Sequence, residues 1–414
     1  MKKSDKWSGL PPVQKIHLPE KHMVLRVVLL TAAIIVAAVS LVKGLTGLLN
    51  QDPGWHTIDA QTKELSYSQE FVLQYDLGGR GASASVENRT ITTLYSDLME
   101  QAYVLFAPSV QSETVHNLRY VSDHPNETLT VEPVLYEALA KVKAYESRYL
   151  YLAPAYVEQS RIFRFAAPEE AESYDPARNP KLRPYMQQLA SFAGDPKHID
   201  LEILPDNQVI LHVSQEYLDF VRDNEIEYLL DFAWMRNAFL VDWVADELER
   251  QGFLLGSISS IDGYSRNLDP REMAYSYNLF DRQGDMVNIP GALQYQGPMS
   301  FALLRDFPVS PQDKLGYMVY PDRQTSSMLL DPADGLCRSS VSNLLLYDEK
   351  LSCADLALMG APLFITETLD EQAVRSLPAH AIWGAPGALV YTQPDAELVP
   401  GANADGYEFR CAEN

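Results

Sequence analysis

Three segments of this 414-residue chain place carboxylates beside turn-forming or helix-starting residues, and they are its strongest candidates for chemistry. They lie at residues 230–248, 328–347 and 352–365. Carboxylate oxygens are hard ligands of the kind that Mg²⁺ prefers. Judged from residue types alone, residues 331–335 (DPADG) have the composition of a surface turn, and Asp355 is placed to interact with a helix N-terminus.

Two other kinds of chemistry are excluded. Several serines precede Asp262, but no histidine is positioned with them, so a serine nucleophile is not predicted. The chain has only three cysteines, too few for a disulfide scaffold in a protein of this length. None of them forms a Cys-x-x-Cys motif, so a structural zinc site is not expected. Outside the cytoplasm, Cys337 and Cys353 could form a disulfide across the strand between them, and Cys411 would then have no disulfide partner.

In this order, the three segments resemble the ApbE-like FAD:protein FMN transferases. The first is similar to a family strand ending in Asp-Leu-Gly-Gly, a Lys-Gly turn, a helix carrying Asp, and a second strand ending in Gly-Gly; Asp231, Asp242 and Gly263 match. The second segment resembles His-Ile-Ile-Asp-Pro-x-Thr-Gly, with matches at Asp331 and Gly335.

The third segment resembles the family's Ala-Asp-x-x-x-Thr helix, which supplies magnesium ligands, and Asp355 matches its aspartate. The resemblance implies a single large α+β domain over residues 70–400 that takes FAD and Mg²⁺. Its implied reaction attaches FMN to Ser or Thr hydroxyls of exported or membrane redox proteins. The resemblance places Mg²⁺ on Asp355. The cofactor-binding positions that it implies are Asp231, Asn237, Asp262, Gly263, Asp331 and Gly335.

The departures from the family fall on positions with chemical roles. Ala233 and Trp234 stand in place of Gly-Gly, so side chains occupy the space through which a backbone approaches a pyrophosphate. Asn237 replaces the lysine that would offset the charge of a diphosphate. Asp262 replaces the first glycine of the later pair.

Two methionines replace groups that the chemistry would use. Met328 stands where the family has histidine, and Met359, which is soft and apolar, replaces the threonine oxygen. Phosphoryl transfer depends on positioning and on charge neutralisation by the metal. Two hypotheses follow: an FAD:protein FMN transferase, or a protein of the same fold that has lost catalysis and binds flavin or another envelope protein. The loss of these motif residues favours the second hypothesis, that of a protein without catalysis.

Hydrophobic periodicity predicts the elements that hold these segments. Helices are expected over 91–106, over 133–148 with Pro133 at the first position, and over 236–252. Alternation predicts a hairpin over 199–213, and a last helix begins near Ser352. The richness of residues 165–197 in Pro, Ala and charge predicts a surface insertion or a long loop. Further strands are expected at 228–232, 254–261, 274–281 and 340–347.

The net charge of −23 is unevenly distributed. Residues 1–43 contain seven basic and two acidic residues, whereas the remainder contains 26 basic and 54 acidic residues and carries −28. So acidic a chain lacks the basic face that nucleic acid requires.

The uncharged run over residues 27–42 predicts a transmembrane anchor over 24–45, since it spans roughly 20 residues with its flanks. No small-x-small site follows it, which disfavours a cleaved signal peptide. The positive-inside rule places residues 1–23 in the cytoplasm as a basic tail and the main domain outside it. Residues 46–69 are then a linker and 401–414 a C-terminal tail.

Overall fold

The computed structural model describes residues 51–412 apart from 64, 82, 285, 403 and 405. The predicted cytoplasmic tail and transmembrane anchor lie outside the described residues. Within the described ranges, no helix has both the length and the apolar character that crossing a membrane requires. From Pro53 onward the chain forms one compact unit.

Helices of very different lengths are distributed along the whole described chain. They are α1 (Leu65–Ser68), α2 (Ala84–Phe106), α3 (Leu118–Asp123), α4 (Pro133–Ala144), α5 (Ala153–Ser160), α6 (Pro168–Ala171), α7 (Arg183–Gly194), α8 (Gln215–Asp223), α9 (Arg236–Arg250), α10 (Cys353–Phe364) and α11 (Glu371–Arg375). Short 3₁₀ turns lie between several of them, including Ala233–Met235 immediately before α9.

Strands alternate with these helices and become dominant in the second half. They are β1 (Gly54–Ile58), β2 (Phe71–Leu77), β3 (Thr128–Thr130), β4 (Ile199–Leu204), β5 (Gln208–Val213), β6 (Gly256–Ser260), β7 (Tyr264–Asn267), β8 (Ala274–Gln283), β9 (Met286–Gln296), β10 (Met299–Arg305), β11 (Met318–Val319), β12 (Thr325–Ser326), β13 (Asn343–Asp348), β14 (His380–Ala385), β15 (Ala388–Tyr391), β16 (Glu397–Pro400) and β17 (Glu408–Cys411).

The largest sheet of the described chain has the strand order β1-β2-β6-β7-β10-β13-β14-β15-β17. Its neighbours are antiparallel except for β15 and β17, which are parallel. Smaller sheets are formed by β3-β5-β4, β16-β9-β8 and β11-β12. All residues of β10 are buried because helices cover one face of the large sheet and the β8–β9 hairpin contributes to a second hydrophobic cluster. This arrangement is the expected α+β class.

Both ends of the domain extend beyond the predicted boundaries of 70 and 400. Strand β1 lies inside the predicted linker, where it pairs with β2 through partners such as Trp55 and Asp76. Strand β17 lies inside the predicted tail and pairs with β15 through Leu389 and Phe409. β1 and β17 thus pair with the outer edges of β2 and β15 and are themselves the two edge strands of the sheet.

Most predicted elements are present with shifted ends. The helix expected at 91–106 begins earlier, at Ala84, and the one expected at 133–148 ends at Ala144. The hairpin over 199–213 is confirmed with Ile199 opposite Val213, and the helix expected at 236–252 spans Arg236–Arg250. Of the strands, those expected at 254–261, 274–281 and 340–347 correspond to β6, β8 and β13.

Two segments differ from prediction. Of the two alternatives for residues 165–197, the long loop is wrong, because α7 lies there and buries five of its twelve residues. Residues 228–232 are not a strand. Ser122 Oγ accepts from the N–H groups of Leu229 and Leu230, and Asp231 N donates to Leu150 O. These bonds occupy the backbone groups that a sheet ladder would need.

The proposed disulfide is also absent, since Cys337, Cys353 and Cys411 are all free. Cys337 Sγ contacts Ser327, whereas Cys353 is fully buried and its thiol donates to Ser265 O at 3.3 Å. The two thiols therefore belong to different environments.

Candidate functional site

A cleft of about 660 Å³ opens beside the start of α9. We call it the α9 cleft. Its lining includes Asp231, Asn237 and Asp262, three of the predicted site residues. They come from the turn before α9, the first turn of α9 and the turn after β6. The volume lies in the range of about 300–1,000 Å³ typical of small-molecule sites.

A polar network crosses the base of the α9 cleft. Asn237 Nδ2 donates to Glu70 Oε2 at 2.8 Å and to Asp262 Oδ2 at 3.1 Å. Arg236 forms an ion pair with the same Glu70 oxygen. Ser260 Oγ donates to Asp262 at 2.5 Å. Asn237 is 2% exposed, so its amide has a fixed, buried position between two carboxylates.

Removal from solvent makes the charged forms of Asp231 and Asp262 unfavourable. Burial is the main cause that raises the pKa of each to about 6. For Asp262, the neighbouring Glu70 acts in the same direction, whereas hydrogen bonds from Ser260 and Asn237 oppose it. The cleft thus contains two carboxylates that gain a proton in mildly acidic solution.

The two residues that replace the family's Gly-Gly lie at the rim of the α9 cleft. Ala233 has φ of +44°, a conformation that glycine adopts more readily. Trp234 packs edge-on against Tyr149 with ring centroids 5.3 Å apart, and its indole N–H is buried. The turn therefore contains a left-handed residue at Ala233, and the Trp234 indole occupies space beside it.

Aromatic rings and a second arginine complete the lining. The rings are those of Tyr67, Tyr103, Trp234, Tyr264 and Tyr317. Arg305, which is 1% exposed, donates to Tyr317 Oη at 3.2 Å, to Ile261 O at 2.9 Å and to Asp313 Oδ2 at 2.9 Å. Glu70, Arg305 and Asp313 were not predicted from the sequence. They carry no local motif and reach the cleft only through long-range folding.

Gly263 serves the sheet, not the lining of the α9 cleft. Its φ is +118°, and a Cβ placed there would lie 2.6 Å from Leu303 O. Gly263 O also accepts from Leu303 N at 3.0 Å. Glycine is therefore required because β10 passes too close for any side chain.

The structure does not bring Asp331 and Gly335 into the lining of the α9 cleft. Asp331 accepts from Ala333 N at 2.8 Å and pairs with Arg338 at 3.0 Å. Gly335 has φ of +73°, and a Cβ there would meet Met186 O at 2.9 Å. Both residues shape a turn, as the composition of DPADG indicates.

Asp355 is held by protein groups on several sides. It occupies the third position of α10 and forms a reciprocal capping box with Ser352. Its Oδ2 lies 2.8 Å from Lys141 Nζ, and Tyr145 Oη donates to Oδ1 at 3.1 Å. Burial alone would raise the pKa of Asp355, but the hydrogen bonds from Lys141 and Ser352 lower it overall.

Asp242, which is buried on α9, has a capping role nearby. Its carboxylate accepts from Cys353 N at 2.9 Å and from Ala354 N at 2.8 Å. The N-terminus of α10 is thus satisfied by Asp242, Ser352 and Asp355 together.

A second and larger groove, of about 780 Å³, lies between α2, α4 and α9. We call it the acidic groove. Its apolar wall includes Phe106, Phe239 and Trp243. Its acidic lining residues are Asp97, Glu100, Glu132, Glu137, Asp242, Asp246 and Glu247, against Lys141 and Arg250 as the basic ones.

Comparison with known proteins places this geometry in a fold class. No protein-family profile and no curated protein sequence matches the chain. Among solved structures, the flavin transferase ApbE from Vibrio cholerae superposes with a TM-score of 0.51 at 11% identity, covering 86% of this chain and 99% of that one. The ApbE protein from Thermotoga maritima gives 0.53 at 13%, covering 85% and 98%.

The chain therefore has an ApbE-like fold, that of a flavin transferase. This agrees with the resemblance drawn from its sequence motifs. Identities of 11% and 13% establish the architecture alone, so the chemistry has to be judged from this chain's own side chains.

The side chains present do not fit magnesium at Asp355. The Lys141 ammonium lies 2.8 Å from the Asp355 carboxylate and already neutralises its charge. Met359, at the position of the resembled family's threonine, offers no oxygen to a metal ion. Among residues 51–412 as described, no group of three or more His, Cys, Asp or Glu side chains is arranged to hold a metal ion. A diphosphate also fits poorly, because both arginines of the α9 cleft are already paired with carboxylates.

Proposed function

We propose that this chain is a membrane-anchored, extracytoplasmic protein of ApbE-like fold that binds flavin and does not transfer FMN. The observation that carries the proposal is the ion pair between Lys141 and Asp355. The carboxylate that the resemblance assigns to Mg²⁺ is neutralised by a protein cation at 2.8 Å and is further engaged by Ser352. Binding Mg²⁺ there requires breaking both contacts.

Flavin is the ligand class that the α9 cleft supports best. The cleft has sufficient volume and several aromatic rings, against which a planar heterocycle packs well. Solved proteins with this fold include flavin transferases. Flavin binding therefore needs fewer assumptions than transfer, which also needs a metal and a cation for the diphosphate.

Membrane anchoring and an extracytoplasmic location rest on the sequence. The predicted anchor over 24–45 follows a basic segment, and the domain after it carries most of the acidic residues. For the partner, we propose another envelope protein that presents a basic, partly apolar segment. The acidic groove offers complementary charge around the rings of Phe239 and Trp243.

One experiment separates flavin binding from FMN transfer. The full-length chain, purified in a neutral detergent, is titrated with riboflavin, FMN and FAD, and flavin fluorescence is followed. The same protein is then incubated with FAD and MgCl₂, and the flavin products are separated by chromatography. We expect bound flavin and intact FAD.

Two outcomes would contradict the proposal in different ways. Mg²⁺-dependent release or transfer of FMN that is lost in Asp355→Asn would establish the enzyme instead. Failure of all three flavins to bind would remove the binding function. Tyr103→Ala should weaken flavin binding because its ring lines the α9 cleft, whereas Tyr120→Ala, which removes a ring stacked between His116 and His124, is the matched control.

A further inference from the structure

We infer that the α9 cleft selects riboflavin, the phosphate-free flavin, over FMN and FAD. The inference rests on the proposed flavin binding and specifies which flavin is bound. It follows from the charges that line the cleft and from how each of them is paired.

The charged lining of the α9 cleft is acidic overall. Its carboxylates are those of Glu70, Asp231, Asp262 and Asp313, and its only cations among the described lining residues are Arg236 and Arg305. A flavin phosphate placed in this cleft would meet more negative than positive charge. In a partly buried site such repulsion is weakly screened by salt.

Neither arginine is available to a phosphate without losing a partner. Arg236 is paired with Glu70 and lies over the Tyr67 ring at 4.1 Å from its centroid. Arg305 is almost completely buried and paired with Asp313 at 2.9 Å. A phosphate would have to displace a carboxylate that the fold holds in place.

The start of α9, where an anion would otherwise be favoured, is also occupied. Asn237, in its first turn, uses its side-chain amide on Glu70 and Asp262. Asp231 precedes the helix and accepts from Ala233 N at 2.7 Å. The carboxylates of Glu70, Asp231 and Asp262 thus lie beside the start of α9, where a helix N-terminus would attract phosphate.

The remaining polar lining suits an uncharged ligand. Gln69, Ser109 and Gln312 present neutral amide and hydroxyl groups to the cleft. Groups of this kind form hydrogen bonds with the hydroxyls of a ribityl chain and with the carbonyl and N–H edges of the ring. Riboflavin offers all of these groups and brings no charge.

The test compares dissociation constants of riboflavin, FMN and FAD for the full-length chain at pH 8, by fluorescence titration in neutral detergent. We expect the Kd of riboflavin to be at least tenfold lower than that of FMN or FAD. Equal or tighter binding of FMN or FAD would overturn the selectivity while leaving flavin binding intact. Failure of every flavin to bind would instead refute the proposed function on which the inference rests.

A charge variant tests the cause of the selectivity. Glu70→Gln keeps an oxygen that accepts from Arg236 and Asn237 but releases the arginine's charge. The ratio of the FMN Kd to the riboflavin Kd should fall about tenfold. Glu216→Gln, an exposed residue of α8, removes the same charge away from the cleft and should leave the ratio unchanged. Equal effects of the two variants would overturn the inference, and Asp262→Asn provides a second variant if Glu70→Gln does not fold.

Discussion

Asn237 and Asp262 contact each other, with Nδ2 of the amide 3.1 Å from Oδ2 of the carboxylate. These two residues stand where the resembled family has a lysine and a glycine, so two departures that are separate in sequence form one interaction in the fold. With glycine alone replaced, the Asp262 carboxylate would keep the Ser260 hydroxyl as a donor to one of its oxygens. The buried amide of Asn237 supplies a donor to the other oxygen, so that a polar network stands where the resembled family binds a phosphate.

Asn237→Ala should lower the free energy of unfolding by about 2 kcal/mol, because the partly buried carboxylates of Glu70 and Asp262 each lose a hydrogen bond. Urea denaturation followed by circular dichroism measures the change. Asn224→Ala removes an exposed amide bonded to Phe220 O and should change the free energy by less than about 0.5 kcal/mol. Equal effects at the two positions would show that the network contributes little.

Asp355→Ala should lower the free energy of unfolding by about 1 kcal/mol, through loss of the capping box and of a partly exposed ion pair. The loss should be the same with and without 5 mM MgCl₂, roughly a saturating concentration for a protein site. Asp370→Ala, which removes the cap of α11, is the matched control. Stabilisation of the wild type by Mg²⁺ that disappears only in Asp355→Ala would restore the metal assignment.

The sequence predicted those parts of the fold that depend on local patterns. The β4–β5 hairpin and helices α9 and α10 have clear periodicity, and Ser352 marks the start of α10. Asp231, Asn237 and Asp262, which the motif resemblance selects, line one cleft, and their role in binding stays a prediction. In each of these cases the signal lies within about 30 residues of sequence.

The rest of the site depends on contacts that no local pattern records. Glu70 lies 167 residues before Asn237, with which it bonds. The pairing of β2 with β6 and the packing of α9 against β6 bring the two residues together. Lys141 reaches Asp355 from α4 across more than 200 residues, and this pair changes the interpretation of the predicted metal ligand. A motif identifies a residue's position, whereas its charge state depends on neighbours from elsewhere in the fold.

Gly263→Ala should be strongly destabilising, and Gly54→Ala is its matched control. The two glycines have φ of +118° and +119°, but a Cβ at Gly263 meets Leu303 O at 2.6 Å while one at Gly54 meets nothing within 4 Å. Gly54→Ala should therefore cost only backbone strain, about 1–2 kcal/mol. Gly263→Ala should cost about 2 kcal/mol more, from the clash with a central strand. Similar midpoints of urea unfolding for both variants would contradict the close approach.

Ala233→Gly should stabilise the protein by about 0.5–1 kcal/mol, because the substitution relieves a left-handed alanine. The same change at Ala238, inside α9, should destabilise by about 1 kcal/mol through lost helix propensity and packing. Opposite signs for two alanines five residues apart are the expected result in thermal denaturation. Destabilisation by both substitutions would show that the turn before α9 does not strain Ala233.

Asp231→Asn tests the electrostatic cost of the buried carboxylate through its pH dependence. Burial is the main cause that raises the pKa of Asp231 to about 6, opposed by the Ala233 N–H and by Arg236, whereas an aspartate in an unfolded chain titrates near about 3.9. Because the folded pKa is the higher one, the stability that the protonated Asp231 contributes is complete below about pH 4. It is lost as the pH rises through 6.

The amide introduced by Asp231→Asn would keep an acceptor for Ala233 N and has no proton to lose. The unfolding free energy of Asp231→Asn relative to wild type should therefore increase by about 2 kcal/mol between pH 4 and pH 8. Urea titrations at each pH measure it. The increase should persist in 0.5 M NaCl, since burial and not a surface charge is its main cause. A constant difference between the two proteins across this range would show that Asp231 is solvated well enough to remain ionised at no cost.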